Sequence, residues 1–192
     1  MHYQTIQIIR NHRKLAFLIL ILVMLTAATP GRLFAAADSA SQEYKVKAAF
    51  LYNFTLFVEW PEEAFTGNDS PLTVCILGKS PFGDALDSLK GKTAKKRKLV
   101  IRQINRVEEM GNCHVLFVST SEKMDLPNIL AAVKNQNVLT VSDLDRFAQA
   151  GGIINFVTLD DKVRFEINLK AAQQSRIKIR SQLLKLARDV IE

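Results

Sequence analysis

The amino-acid sequence predicts an α/β fold: a mostly parallel sheet flanked by helices on both faces, in a flavodoxin-like strand order, with an antiparallel edge hairpin. Short apolar runs, typical of strands buried on both faces, recur through the middle of the chain. Segments with helical spacing of apolar residues separate these runs. The last two runs are joined by a short acidic turn, and the second alternates apolar and polar residues, which indicates a hairpin.

The first predicted helix begins at the capping-box pattern of residues 39–42. It ends at Trp60, because a residue that precedes a proline is pushed out of the α region. Helical spacing places one long stripe on a single face of this helix. The stripe consists of Lys47, Leu51, Phe54 and Val58.

The remaining elements alternate along the chain. A strand is predicted at 72–77, followed by a helix with Ser80 as its N-cap that runs to Leu89. Further strands are predicted at 99–101, 114–118 and 137–141, and further helices at 126–133 and 143–149. The hairpin comprises 153–157 and 163–167, and the C-terminal helix carries Leu183, Leu184, Leu186, Ala187 and Ile191.

Residues 1–37 have the pattern of a secretory signal peptide: a basic flank, an apolar run at 15–28 and small residues before the cleavage site. As a helix this run is about 21 Å long, shorter than the roughly 30 Å core of a bilayer. Cleavage is therefore favoured over a retained membrane anchor, and residues 38–192 are expected to form a single periplasmic domain. Four of the 26 lysine and arginine residues fall in the leader, whereas none of the 19 aspartate and glutamate residues do. The domain therefore carries 22 basic and 19 acidic side chains, a net charge of +3. This balance gives no reason to expect a nucleic-acid partner.

Two cysteines, Cys75 and Cys113, remain in the predicted domain. In an oxidising compartment such a pair is most simply a disulfide, and two buried free thiols are the alternative. Metal ligation is disfavoured, because the domain has a single histidine, His114, and no local cluster of cysteine and histidine.

No set of catalytic residues stands out. His114 opens a buried strand, where a structural role is favoured over that of a general base. The tripeptide Gly78-Lys79-Ser80 matches the end of a phosphate-binding loop, but Thr73 stands where that motif needs glycine. Ser80 is therefore a candidate anion site at a helix start, with ordinary capping as the alternative. We expect neither an enzyme nor a cofactor.

Two groups of side chains are candidates for a partner or ligand surface. Aromatic residues are dense along the first helix, where they suit either the core or an interface; the candidates are Tyr44, Tyr52, Phe57 and Trp60. Basic residues near the C-terminus suit an acidic partner; they are Arg176, Lys178, Arg180, Lys185 and Arg188. The lysine-rich segment 90–98 is by default a solvated loop, with an acidic partner or a membrane surface as the alternative.

Residues 43–61, EYKVKAAFLYNFTLFVEWP, closely resemble the opening helix of the YfiR family of periplasmic repressors. The segments 74–78, 113–118, 167–172 and 177–187 fit the same family pattern. The resemblance covers essentially the whole predicted domain.

This resemblance implies a non-enzymatic periplasmic protein that binds and represses an inner-membrane diguanylate cyclase, and thereby modulates cyclic-di-GMP signalling and biofilm formation. It also implies a disulfide between Cys75 and Cys113, sequestration by an outer-envelope lipoprotein, and a homodimer. A second disulfide of some relatives has no counterpart in this chain, which argues against redox switching that depends on it. The alternative function is a periplasmic module that binds a small anion or nucleotide at Ser80.

Overall fold

The computed structural model describes the chain from residue 31 and its side chains from residue 39. The basic flank and the apolar run of the predicted leader lie outside the described residues. The sheet and the helical residues that pack on it belong to the unit Ser41–Glu192. In the part of the chain that is described, no helix is both long enough and apolar enough to cross a membrane.

Helices and strands follow one another along the described chain. In chain order, the α-helices are α1 (Gly31–Phe57), α2 (Leu126–Val133), α3 (Leu169–Gln174) and α4 (Ser181–Leu184). The strands are β1 (Val58–Glu59), β2 (Leu72–Leu77), β3 (Thr93–Ala94), β4 (Arg97–Ile104), β5 (Val115–Val118), β6 (Leu139–Ser142), β7 (Ile154–Leu159), β8 (Lys162–Asn168), β9 (Lys178–Ile179) and β10 (Asp189–Ile191).

The main sheet of the described chain has the strand order β10-β8-β7-β6-β5-β2-β4-β3. Five successive strands, β4, β2, β5, β6 and β7, are mutually parallel. Among the strands of this sheet, β2 comes first in the chain, and it lies between β4 and β5, as in the flavodoxin-like order. The predicted α/β class, with a mostly parallel sheet, is confirmed.

Both faces of the sheet are covered, because successive residues of a buried strand point to opposite sides. In β2, Val74 and Ile76 join the hydrophobic cluster that includes the buried face of α1. Cys75 and Leu77 join a second cluster, which includes the buried residues of α2. The predicted stripe of the first helix is buried as expected, with Leu51, Phe54 and Val58 at 0% exposure.

Three predicted helices differ from the observed structure. Helix α1 already begins at Gly31 rather than at residue 39, through an alanine-rich stretch of high helix propensity. The segment after β2 is a 3₁₀ helix at Gly83–Leu89 with Phe82 as its N-cap, so Ser80 is not the cap. Residues 143–149 form turns instead of a helix, interrupted by the positive φ of 57° at Arg146.

The C-terminal region also corrects the prediction. Strands β7 and β8 form the predicted antiparallel hairpin, but β10 pairs in parallel with the outer side of β8 and becomes the sheet edge. The predicted C-terminal helix is confined to Ser181–Leu184. The β-branched pair Val190 and Ile191 joins the sheet because β8 offers unpaired backbone groups at that edge.

Candidate functional site

The two cysteines are joined in a disulfide, with 5.9 Å between their Cα atoms. Cys75 belongs to β2, and Cys113 lies two residues before β5. Their side chains are 0% and 4% exposed. A reductant reaches such buried sulfur atoms only when the fold opens, which favours a structural clamp over a surface redox switch.

His114 lies next to this clamp and is held in one protonation state. The backbone N–H of Thr73 donates to its Nδ1 at 3.1 Å, so the ring proton resides on Nε2, which lies 3.1 Å from the Ala64 carbonyl. Burial is the main cause that lowers the pKa of His114 below its ordinary value. The Phe65 ring stacks on the imidazole at 4.4 Å. This histidine is a neutral structural group whose two ring nitrogens are already engaged.

The aromatic candidates of the first helix are half-buried, and their polar atoms are bonded within the protein. The hydroxyl of Tyr52 donates to the Thr93 carbonyl at 3.0 Å, and the indole N–H of Trp60 donates to the His114 carbonyl at 3.1 Å. Both rings are therefore held in place while part of each remains exposed, and aromatic residues of this kind are enriched at interfaces.

A short antiparallel ribbon brings two of the candidate groups together. Val58 of β1 pairs with Ile179 of β9, and the backbone N–H of Arg180 donates to the Phe57 carbonyl at 3.0 Å. The Arg180 guanidinium lies 2.8 Å from the Glu59 carboxylate. The aromatic end of α1 and the basic C-terminal segment, more than 100 residues apart in sequence, thus share one surface.

The lysine-rich segment adds charge to this surface. The Lys92 ammonium lies 4.5 Å from the centre of the Tyr52 ring, and that of Lys95 lies 6.0 Å from the centre of the Trp60 ring. Lys95 also donates to the Val58 carbonyl. Lys95 is exposed as a residue, but its ammonium group is partly buried. This burial is the main cause that lowers the pKa of Lys95, and the positive charge of nearby Arg180 is the second cause.

We define the basic–aromatic surface as the residues that these contacts bring together: Tyr52, Phe57, Trp60, Lys92, Lys95, Lys178 and Arg180. Four of its members are cationic, and Glu59 is the acid paired with it at Arg180. The combination of half-buried aromatic rings and excess positive charge suits an acidic partner.

The other sequence candidates lie outside this surface. Arg176 borders it and forms an exposed ion pair with Glu63 at 3.4 Å. Arg188 holds the edge strand through Glu166, at 2.8 Å. Lys185 is exposed beyond the end of α4.

Tyr44 belongs to a buried ionic cluster that the sequence did not reveal. Its hydroxyl donates to Asp143 at 2.7 Å, and the ammonium of Lys47 lies 2.6 Å from the same oxygen. Burial and the Asp143 carboxylate raise the pKa of Tyr44, which keeps the hydroxyl a donor. Lys47 also reaches Glu43 at 2.6 Å. The only available signal was a lysine on the apolar stripe of the first helix.

Around Ser80, several of the backbone amides that could hold an anion already have acceptors. The Lys79 N–H donates to the Ser121 hydroxyl at 2.9 Å, and the Phe82 N–H lies 3.4 Å from the Ser80 hydroxyl. Gly78 has a φ angle of 81°, a backbone conformation that favours glycine. Among the described residues, no cluster of histidine, cysteine and carboxylate side chains fits a metal ion.

Two solved structures are distantly similar to this chain. An ABC domain in complex with L-Trp from Streptococcus pneumonia matches with a TM-score of 0.49 at 16% identity, covering 67% of this chain and 57% of its own. A conserved domain protein from Vibrio cholerae O1 biovar eltor matches with a TM-score of 0.45 at 13% identity, covering 62% of this chain and 54% of its own. The chain thus spans a little over half the length of each structure.

Comparison with family models gives a specific result. The model of the YfiR/HmsC-like family matches residues 44–188, which include the disulfide, Tyr44, Lys47 and Asp143 of the ionic cluster, and the whole basic–aromatic surface. The chain belongs to the YfiR/HmsC-like family.

Proposed function

We propose that this chain is a periplasmic regulatory protein that binds and represses an inner-membrane diguanylate cyclase or a similar membrane sensor, and so lowers cyclic-di-GMP and biofilm formation. It acts by binding and not by turnover. The observation that carries the proposal is the basic–aromatic surface, which lies within the region that matches the family. The neutral, fully bonded His114 and the pairing of both cysteines agree with a role other than catalysis.

The charge and the aromatic side chains of the basic–aromatic surface determine which kind of partner it recognises. Lys92, Lys95, Lys178 and Arg180 favour a partner whose exposed face is acidic, and the rings of Tyr52 and Trp60 supply rigid contact area. Binding represses the partner only to the extent that its inactive state is bound more tightly than its active state. A tenfold preference corresponds to about 1.4 kcal/mol.

Affinity capture from envelope extracts tests this proposal. The protein is expected to retain a membrane protein with a cytoplasmic cyclase domain, and deletion of its gene is expected to raise cyclic-di-GMP. Lys178→Glu is expected to weaken capture about tenfold or more, and Lys185→Glu serves as the control, since it makes the same charge change outside the surface. Equal capture by both variants would contradict the assigned surface, and unchanged cyclic-di-GMP on deletion would contradict repression of a cyclase.

Two further interactions complete the proposal. An outer-envelope lipoprotein sequesters the repressor and releases the cyclase, and two copies of the chain form a homodimer. Light scattering on the purified protein tests the dimer. Export to the periplasm agrees with the disulfide, because disulfides persist in an oxidising compartment. Osmotic-shock fractionation tests the periplasmic location.

A further inference from the structure

The turn between β3 and β4 has a backbone conformation that its residues do not favour. Ala94 pairs with Arg97, so Lys95 and Lys96 form a two-residue turn, with positive φ angles of 52° and 67°. Such turns prefer Asn-Gly, because L-residues with longer side chains are disfavoured at positive φ. Unfavourable backbone conformations concentrate at functional sites.

A second turn in the chain provides the comparison. Leu159 pairs with Lys162 across Asp160 and Asp161, whose φ angles are 48° and 57°. Aspartate tolerates this conformation better than lysine does, since its short polar side chain bonds locally. The two turns thus share positive φ angles, which the aspartates of the second turn tolerate better than the lysines of the first.

The side chains around the lysine turn explain what these residues offer. Lys92, Lys95, Lys96 and Lys98 are all exposed, and none of them forms an ion pair within the described part of the chain. No acidic residue interrupts the segment 90–98. The hairpin formed by β3 and β4 lies at an edge of the main sheet, because β3 is the last strand of the sheet on that side.

Whether the exposed cations are arginines or lysines helps to distinguish an acidic protein face from a lipid surface as the partner. Arginine is the residue that recognises a carboxylate with fixed bidentate geometry, but the half-buried Arg97 already donates to the carbonyls of Gly67, Asn68 and Ser70 at 2.8–2.9 Å. The other charges of the segment are lysines, which act as point charges and need no fixed geometry; of these, Lys95 also donates to the Val58 carbonyl. The half-buried Tyr52 and Trp60 lie beneath two of them, and such rings are favoured at membrane interfaces.

We propose that the lysine hairpin, defined as residues 90–98, binds the anionic headgroups of a phospholipid bilayer, so that the protein attaches peripherally to the membrane surface. This interaction needs only lipid, so it can be tested without a protein partner, although it shares Lys92 and Lys95 with the basic–aromatic surface. It would place the protein beside any membrane partner and raise its local concentration there.

Vesicle co-sedimentation with the protein purified from the cell envelope tests the proposal. The protein is expected to bind vesicles of phosphatidylglycerol in phosphatidylcholine and to bind pure phosphatidylcholine much less. Each lysine at an anionic surface contributes about a fivefold gain in partitioning, so Lys95→Gln/Lys96→Gln is expected to lose about fivefold through Lys96 alone and about 25-fold if Lys95 leaves the Val58 carbonyl for the lipid. Asp160→Asn/Asp161→Gly, at the matched turn, is expected to bind at least as well as the parent.

Two outcomes would overturn the proposal. The first is equal binding to anionic and neutral vesicles, which would assign any attachment to apolar contacts. The second is unchanged lipid binding by Lys95→Gln/Lys96→Gln. Loss of envelope-protein capture in that variant, without any preference for anionic vesicles, would assign the hairpin to an acidic protein face instead. Since the vesicles contain no protein, failure in this assay leaves the capture test of the repressor function unaffected.

Discussion

Replacing Asp143 with asparagine keeps the size of the side chain but removes the negative charge that lies 2.6 Å from the Lys47 ammonium. The two side chains are 7% and 4% exposed, so water cannot replace the lost partner. Lys47 keeps Glu43, at 2.6 Å, as a second acid. Lys47→Met is the harsher change, because it leaves a buried carboxylate whose Oδ1 already lacks a hydrogen-bond partner.

The magnitude follows from the burial of the pair. Removing one member of a buried ion pair costs about 3–5 kcal/mol, and the remaining Glu43 places Asp143→Asn at the lower end, about 3 kcal/mol. The entropy of unfolding is about 2.1 cal/mol/K per residue, so for a unit of this size the loss lowers Tm by about 9 °C. Lys47→Met/Asp143→Asn removes both charges of the buried pair and leaves Glu43, whose side chain is 32% exposed, so we expect it to be about 2 kcal/mol more stable than the sum of the single changes predicts.

Urea unfolding followed by far-UV circular dichroism, with a thermal scan of each variant, measures these values. Asp87→Asn is the matched control, because Asp87 lies 2.7 Å from Lys90 in an ion pair whose members are 58% and 74% exposed. We expect no measurable change for this surface pair. A shift of less than about 3 °C for Asp143→Asn, or strict additivity in the double variant, would refute the claim that the cluster stabilises the fold as a coupled buried pair.

Three further predictions concern stability. Because the pKa of His114 is lowered in the folded protein, only the unfolded chain gains its proton directly below the ordinary value of 6.5. The urea midpoint should therefore fall as pH drops through this value and fall less in His114→Asn; a flat profile for the parent protein would contradict this. Cys75→Ala/Cys113→Ala opens a 38-residue loop and should lower the free energy of unfolding by about 4 kcal/mol, or Tm by about 12 °C; a shift below about 4 °C would contradict the loop-entropy estimate. Lys95→Asn/Lys96→Gly should raise the free energy of unfolding by about 1 kcal/mol by relieving the turn, and equal chemical stability would show that the turn is unstrained.

The sequence by itself was sufficient for the layered part of the fold. Strands such as β2 and β5 are continuous apolar runs, and their burial is dictated by composition alone. The order of these runs and the short connections between them leave few topologies for a parallel sheet. The buried stripe of α1 was predictable for the same reason, since helical spacing is a local property of the chain.

Part of the candidate site was predictable as well. Trp60 and Arg180 were identified as candidate partner residues from aromatic density and charge, which are visible in the sequence. Their assembly into one surface was not predictable, because it depends on the β1–β9 ribbon. A strand of two residues has no periodicity to recognise, and Glu59 and Arg180 are 121 positions apart.

Only the tertiary structure decided the remaining features. Lys47 reads as the charged member of an apolar stripe until Asp143, 96 positions away, is brought against it. Val190 and Ile191 have helical spacing with the leucines before them, yet they form β10 because β8 leaves backbone groups unpaired. Local spacing fixes which face of an element is buried, whereas pairing between distant segments depends on which hydrogen bonds and charges remain unsatisfied after the sheet has formed.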